Sequence, residues 1–516
     1  MRSRIALAGL LAATLTTTAC SSATKTASSG PTDRLTVLAL AAPNSLSPAL
    51  NTICASCVWF TSLSYASLIH TGPKGELQPD LATSWEYVGE GNKQFRLHLR
   101  SGAKFSDGTP VDAQAVAKSL KYMRKSGGPV SPFIAPITSI TATDPSTVDI
   151  KLSQPNPELA TLLSTPFQIG DVINPKALSD PKSLGHQTAG AGPYMLSTAE
   201  TVSNDHYTYV PNPHYWNKAA VHFKKITIKV VKSTTAALQV LRTGAADLAI
   251  GDLNTAPSAR NAGLKVYSAL VAHTGIDIID RSGAVAKPLR DVRVRQALNY
   301  AVDRRTISDS VLHGSGQPIN QIGTPGTSDY VQAAANQYAY DSQKAKQLLA
   351  DAGYPNGFTL NMEIFSQNPP TSDVAQAVIS DWEKIGVKVK ANTDSDGATY
   401  AKNVSSKKYA TFSYGFGYIP FYLYSQNWYL PIPNPFNAFN SSDKQLVSYI
   451  GQGNTAAGSE RTSLYGKATQ RAVDLAWIVP VTSYPVFYFA SPKVGNVKVD
   501  PARPLLEITE LTQTGK

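Results

Sequence analysis

Long apolar runs are missing from most of this chain of 516 residues. Beyond the first fifteen positions none reaches the ~18 residues that a membrane-spanning helix needs, so no later transmembrane helix is expected. Charge is sparse, at 16% of residues, and the basic excess of +11 is scattered in pairs such as Lys224-Lys225, Arg304-Arg305 and Lys407-Lys408. Loss of Arg2 and Arg4 with an export signal would lower that excess to +9. No basic helix or aromatic-interleaved patch gathers these charges, so no nucleic-acid partner is implied and a solvated surface is the better reading. Catalytic signatures are missing too: there is no His-Glu-x-x-His helix, Gly-x-Ser-x-Gly elbow or Walker-type phosphate loop. A triad drawn from distant residues leaves no local motif, so a secreted hydrolase stays as a remote alternative to a protein without enzymatic activity. His206, His214 and His222 are regularly spaced but fall in separate turns or strands, so neither a metal site nor a cofactor is expected.

What is there begins with Arg2 and Arg4, an apolar run from Ile5 to Leu15 and small residues up to Cys20. This is the layout of an export signal over residues 1–19. Thr17-Thr18-Ala19-Cys20 resembles a bacterial lipobox, with Thr17 where leucine is usual. In that reading Cys20 is lipidated, residues 20–32 form a flexible tether, and the protein sits on the outer face of the cytoplasmic membrane of a bacterium. A plain secreted protein cut at a nearby Ala-x-Ala-like site is the alternative. Of three cysteines, Cys54 and Cys57 remain as Cys-Ala-Ser-Cys. A structural disulfide is the default outside the cytoplasm; free thiols and a redox pair are the alternatives, although no thioredoxin-like βαβ pattern surrounds them. The rest of the chain, with 42% hydrophobic residues overall, is long enough to bury a large core and reads as two lobes.

The segment from Pro79 to Asp112 carries the most structural information. Trp85-Glu86-Tyr87-Val88 and Phe95-Arg96-Leu97-His98-Leu99 alternate bulky apolar with polar residues around Gly89-Glu90-Gly91-Asn92, which predicts a hairpin with one buried face. A turn at Ser106-Asp107-Gly108-Thr109-Pro110 then leads to a helix through Leu120 and Met123, with Asp112 as its N-cap. Leu35 to Leu40, Ile226 to Val231 and Asp247 to Ile250 read as strands of a first lobe. Strands at 359–364 and 387–390 around a helix at 374–385 read as a second α/β lobe.

The Pro79–Asp112 run closely resembles the signature segment of the peptide-type (family 5) extracellular solute-binding proteins. Gly190-Ala191-Gly192-Pro193-Tyr194 and Asn212-Pro213-His214-Tyr215-Trp216 resemble two of that family's turns. Ala237 to Leu248, with its Gly244 helix stop, Asp291 to Arg304 and Tyr340 to Pro355 resemble further segments in family order. The resemblance implies an α/β, two-lobed periplasmic-binding-protein-like fold of type II with an extra hairpin-containing subdomain. The expected organisation is lobe I over 33–271 with the subdomain inserted at about 80–190, lobe II over 272–485, and a return to lobe I over 486–516. It also implies a monomeric receptor that captures a small ligand between its lobes and delivers it to the permease and ATPase subunits of an ABC importer. A peptide is the default ligand, with an oligosaccharide or other non-peptide solute as the alternative.

The unusual stretch is Phe412 to Tyr429, dense in aromatics. It reads either as a strand filling the second lobe or as a cleft wall whose rings stack on a ligand. Peptide receptors of the family carry a Gly-Trp-x-x-Asp-Tyr-x-Asp segment here, with an aspartate for the ligand ammonium. This chain has no aspartate at that place. The expected ligand-binding residues are Asn44 and Ser45 from the first lobe and Tyr414, Phe416, Tyr418, Tyr422, Asn427 and Trp428 from the second. If Trp428 and Tyr418 are wall residues, replacing them leaves the empty protein's stability nearly unchanged.

Overall fold

The computed structural model describes residues 34–51, 56–367, 369–417, 419–432, 434–503 and 505–514. Cys20, Cys54 and Tyr418, and the whole of the export signal and tether, lie outside these residues. Cys57 is disulfide-bonded.

Two long strands organise the rest. Lys265–Ile278 and Ile478–Ala490 pair antiparallel from Lys265 opposite Ala490 to Asp277 opposite Ile478. Both are rich in β-branched and aromatic residues, which favour the pleated backbone. Pro480 and Pro485 interrupt that preference because neither can donate to the ladder. The register shifts beside each of them, between Thr274 and Gly275 and between Leu270 and Ala272. Such irregularities bend a ribbon and increase its twist without ending it.

The ribbon belongs to both halves of one eleven-stranded sheet. At one end Phe487–Ala490 pair with Leu248–Gly251, and the sheet continues through Leu35–Ala39, Ile226–Val230, His206–Pro211 and Tyr194–Leu196. At the other end Ala272–Ile278 pair with Thr411–Gly417, followed by Phe358–Phe365 and Val387–Asp394. The first half has its own core around Val37, Trp59, Tyr209 and Tyr488. The second packs Ile276, Leu298, Val378 and Trp382, with Trp382 Nε1 donating to the Leu298 carbonyl at 2.9 Å. These are the two lobes of a periplasmic-binding-protein-like fold.

The expected hairpin is present as Ala82–Tyr87 and Gln94–Leu99, with Trp85 opposite Leu97 and Tyr87 opposite Phe95. Gly89, Gly91 and Asn92 take positive φ in its turn, which glycine and asparagine tolerate best. The hairpin joins Ile137–Asp144 and Thr147–Leu152 in a separate four-stranded sheet. Against it lies helix Ala113–Lys125, whose first turn is capped by Asp112 accepting from the Ala115 N–H at 2.8 Å. The Gly-Ala-Gly-Pro-Tyr turn is explained by crowding. A Cβ at Gly190 would meet the Ser64 carbonyl oxygen at 2.2 Å, and one at Gly192 the Ser64 carbonyl carbon at 2.5 Å. Asn212 of the second family-like turn donates to the Gly192 carbonyl at 2.9 Å, locking the two turns together.

After the ribbon, the C-terminal segment packs on lobe I through Leu506, Ile508 and Leu511. Arg503, 1% exposed, clamps it: Nη1 and Nη2 donate to Glu510 at 2.6 and 2.9 Å, and Nη1 also to the Thr71 carbonyl at 3.2 Å. Burial acts to raise the Glu510 carboxyl, but hydrogen bonds from His70 and Arg503 outweigh it and hold the group at about 2. Its stabilising contribution is therefore present above the ordinary glutamate range and lost as pH falls towards 2. Arg503→Leu is expected to cost about 3 kcal/mol in urea unfolding at neutral pH, with the gap to wild type narrowing below pH 4. An equal gap at both pH values would assign the cost to packing of the arginine stem.

Candidate functional site

Between the lobes lies a cavity of about 520 Å³ that borders the ribbon itself at Val271, Ala272 and Val486. Its volume is in the range of small-molecule sites, about 300–1,000 Å³. The lobe I wall comes from Leu77, Phe167 and a row of polar groups. In that row Thr71 Oγ1 donates to Ser164 Oγ at 2.9 Å, Ser164 Oγ donates to the Thr161 carbonyl at 2.6 Å, and Thr161 Oγ1 donates to Glu158 Oε2 at 2.8 Å. Thr161 lies in the short helix Leu159–Leu162 after the Pro155-Asn156-Pro157 turn, with Glu158 just before it and Ser164 just after, while Thr71 comes from strand Ile69–Thr71. Asn156 fixes that turn by accepting from the Glu158 N–H at 2.9 Å. Ala502 and Leu505 of the returning C-terminal segment complete this side.

The lobe II wall is apolar apart from Ser328: Phe416, Gly417, Ile419, Pro420 and Phe421. The aromatic stretch forms not one strand but strand Thr411–Gly417 followed by helix Phe421–Trp428. Pro420, with φ fixed at −54°, stands immediately before the helix, a place where its missing N–H costs no helical hydrogen bond. The helix is buried on two sides. Phe421, Tyr424 and Trp428 pack into lobe II, whereas Tyr422 and Leu423 pack into the core of the hairpin subdomain across the lobe boundary. Asn92 of the hairpin turn adds interlobe hydrogen bonds, donating to the Asn454 and Ala456 carbonyls at 2.8 and 3.2 Å.

Of the expected site residues, Phe416 reaches the cavity. It also touches Tyr414 and Trp428, at centroid distances of 5.1 and 4.9 Å. Tyr418 lies outside the described residues. Trp428, expected on the wall, is 3% exposed and stacked between Tyr424 and Phe436 at 4.6 and 4.3 Å. Tyr414 sits in the same core over Gly275, whose absent Cβ leaves room for the phenol. Tyr422 is an interlobe packing residue. Asn427 donates to the Leu423 carbonyl one helical turn back. Asn44 and Ser45 shape the turn after the first strand: Asn44 Nδ2 donates to the Leu50 carbonyl at 2.7 Å, and Ser45 Oγ accepts from the Ser47 N–H at 3.1 Å. Neither lines the cavity.

Sequence reasoning missed Glu158, Thr161, Ser164 and Phe167. The available signal was a proline-flanked run holding one acid and three hydroxyls inside the predicted subdomain. Burial raises the Glu158 carboxyl above its ordinary range; the Thr161 hydrogen bond and Arg461 oppose this, and Asp329 of lobe II adds to it. His273, paired opposite Phe416 and 1% exposed, is held neutral because burial lowers its ring to about 4.

This packing sets an expected outcome: Trp428→Ala lowers the stability of the empty protein by about 3–5 kcal/mol in chemical unfolding. Phe167→Ala, at a half-buried position on the cavity wall, changes stability little and weakens ligand binding in titration. A Trp428 variant as stable as wild type would return that ring to the wall.

Comparison with known proteins agrees with this architecture. The model for bacterial extracellular solute-binding proteins, family 5 (middle), matches residues 76–437. The chain is 29% identical over 472 residues to the probable D,D-dipeptide-binding periplasmic protein of Escherichia coli strain K12, covering 86% of this chain and 87% of that one. It is 26% identical over 469 residues to the nickel-binding periplasmic protein of the same strain, covering 85% and 87%. Among solved structures, the complex of PBP AgaA with agropinic acid from A. tumefacien R10 superposes with a TM-score of 0.78 at 23% identity, over 94% of this chain and 99% of the other. The chain belongs to family 5 of the bacterial extracellular solute-binding proteins.

Proposed function

We propose that this protein is the lipid-anchored receptor of an ABC importer, holding a short, predominantly apolar peptide between its lobes and presenting it to the permease. The observation that carries the reading is the interlobe cavity, to which both lobes, the ribbon and the C-terminal segment each contribute a wall. A ligand there contacts both lobes at once, so its binding energy favours the closed state, which a permease then distinguishes from the open one. No covalent step is part of this role. The lining favours a peptide over an oligosaccharide: its polar groups lie mainly along the Thr71–Ser164–Thr161–Glu158 edge, and the remaining surface is aliphatic or aromatic. A sugar presents hydroxyls all around its ring, whereas a peptide can turn apolar side chains to this lining and lay its backbone amides along the polar edge, avoiding the cost of unpartnered groups. In this reading Cys20 carries the lipid, and residues 20–32 give the lobes reach above the membrane.

Two measurements test it. Native mass spectrometry of protein purified from its own cells is expected to show a stoichiometric peptide; a co-purifying sugar would overturn the ligand class. Cys20→Ala is expected to move the protein from the membrane fraction to the soluble exported fraction. Unchanged membrane retention would remove the lipid anchor.

A further inference from the structure

We propose that Glu158 makes the cleft selective for an apolar solute bearing one cationic group, an ammonium or guanidinium, and that the cleft rejects solutes whose only charge is a carboxylate. This inference rests on reading the interlobe cavity as the ligand site.

Glu158 is the one ionisable group among the described residues that line the cavity; no lysine, arginine or histidine shares that lining. One of its carboxylate oxygens accepts from Thr161, and the other takes no hydrogen bond from a described residue. The charged and titratable groups around it are Arg461 and Asp329 from lobe II, with the phenols of Tyr87 and Tyr465. Arg461 does not form an ion pair with it: its Nε donates instead to the Ala456 carbonyl at 3.0 Å. Asp329, 3% exposed, lines a neighbouring buried space together with Phe421; burial raises its own carboxyl, and its proximity acts to raise that of Glu158. A ligand carboxylate would therefore lose water beside an acid, with no basic group in the lining to receive it, which is unfavourable. A ligand cation meets a carboxylate already oriented by Thr161, in a low-polarity cavity where such a hydrogen bond is strong. The group also sits on the lobe I wall, opposite the apolar lobe II wall. An amphipathic cation thus satisfies its two ends on different lobes, which couples charge recognition to closure.

Burial holds the empty-cleft Glu158 above the usual carboxylate range, and a bound cation favours its ionised form. Affinity for a cation therefore rises as pH increases through the range in which Glu158 ionises. A neutral analogue shows no such dependence.

The test is calorimetric titration of the mature protein with two matched sets. One set is leucyl-phenylalanine amide, its N-acetyl amide and N-acetyl-leucyl-phenylalanine, whose charges are one ammonium, none and one carboxylate. The other is phenylbutylamine, phenylbutanol and phenylbutyrate. The ammonium member of each set is expected to bind about tenfold tighter than the neutral one, with the carboxylate weakest. Phenylbutylamine, which stays charged throughout, should bind more tightly as pH rises through the range in which Glu158 ionises. Glu158→Gln keeps the acceptor for Thr161 and is expected to level ammonium with neutral and remove that pH dependence. A carboxylate member that binds as well as the ammonium overturns the proposal without any variant, as does an ammonium preference that survives Glu158→Gln. If only the phenylbutyl set binds, in the stated order, the charge rule stands and the peptide reading falls. If neither set binds, the cleft is not the ligand site for such solutes and the proposal falls with it.

Discussion

The structure depends on one two-stranded ribbon that must stay hydrogen-bonded while serving two lobes. Its strands pair from Lys265–Ala490 to Asp277–Ile478, yet Pro480 and Pro485 remove ladder donors and shift the register beside each. Continuous pairing transmits the position of one lobe to the other, while local loss of regular pairing allows the bend. The cavity borders this ribbon at Val271, Ala272 and Val486. Whatever fills the cavity therefore touches the element through which the lobes are joined.

The second constraint is the helix Phe421–Trp428, buried in lobe II on one side and in the hairpin subdomain on the other. A helix with two apolar faces has no solvated surface to spare, so most of its aromatic rings serve packing. From that stretch Phe416 and Phe421 line the interlobe cavity, whose polar edge comes from the opposite lobe.

Much of the fold was legible because local chemistry and tertiary structure agree. Alternation marked the hairpin at Trp85 and Leu97, Asp112 announced its helix, and Gly244 does take positive φ after the helix Thr234–Arg242. The lobe II strand expected at 359–364 extends over Phe358–Phe365, and its neighbour over Val387–Asp394. The family resemblance extended this local reading to the two-lobed architecture. The site was far less legible. Aromatic density at 412–429 indicated buried rings but not which body they are buried in, and Trp428, Tyr414 and Tyr422 turned out to fill cores. Asn44 and Ser45 spend their polar groups on their own turn. Glu158 carried no motif, since one acid in a proline-flanked run is ordinary until a cavity forms around it.

By itself the sequence determined the α/β class, the hairpin and several of the strands, because these follow from periodicity, caps and turn chemistry over a few neighbouring residues; the family was legible through the resemblance of its segments to known members. The tertiary structure decided which surfaces face the cleft. That depends on contacts between residues far apart in the chain: Tyr422 within the subdomain core, and Ala502 and Leu505 returning to the wall. Local pattern records which residues avoid water; only the assembled lobes determine whether they do so against protein or against a ligand.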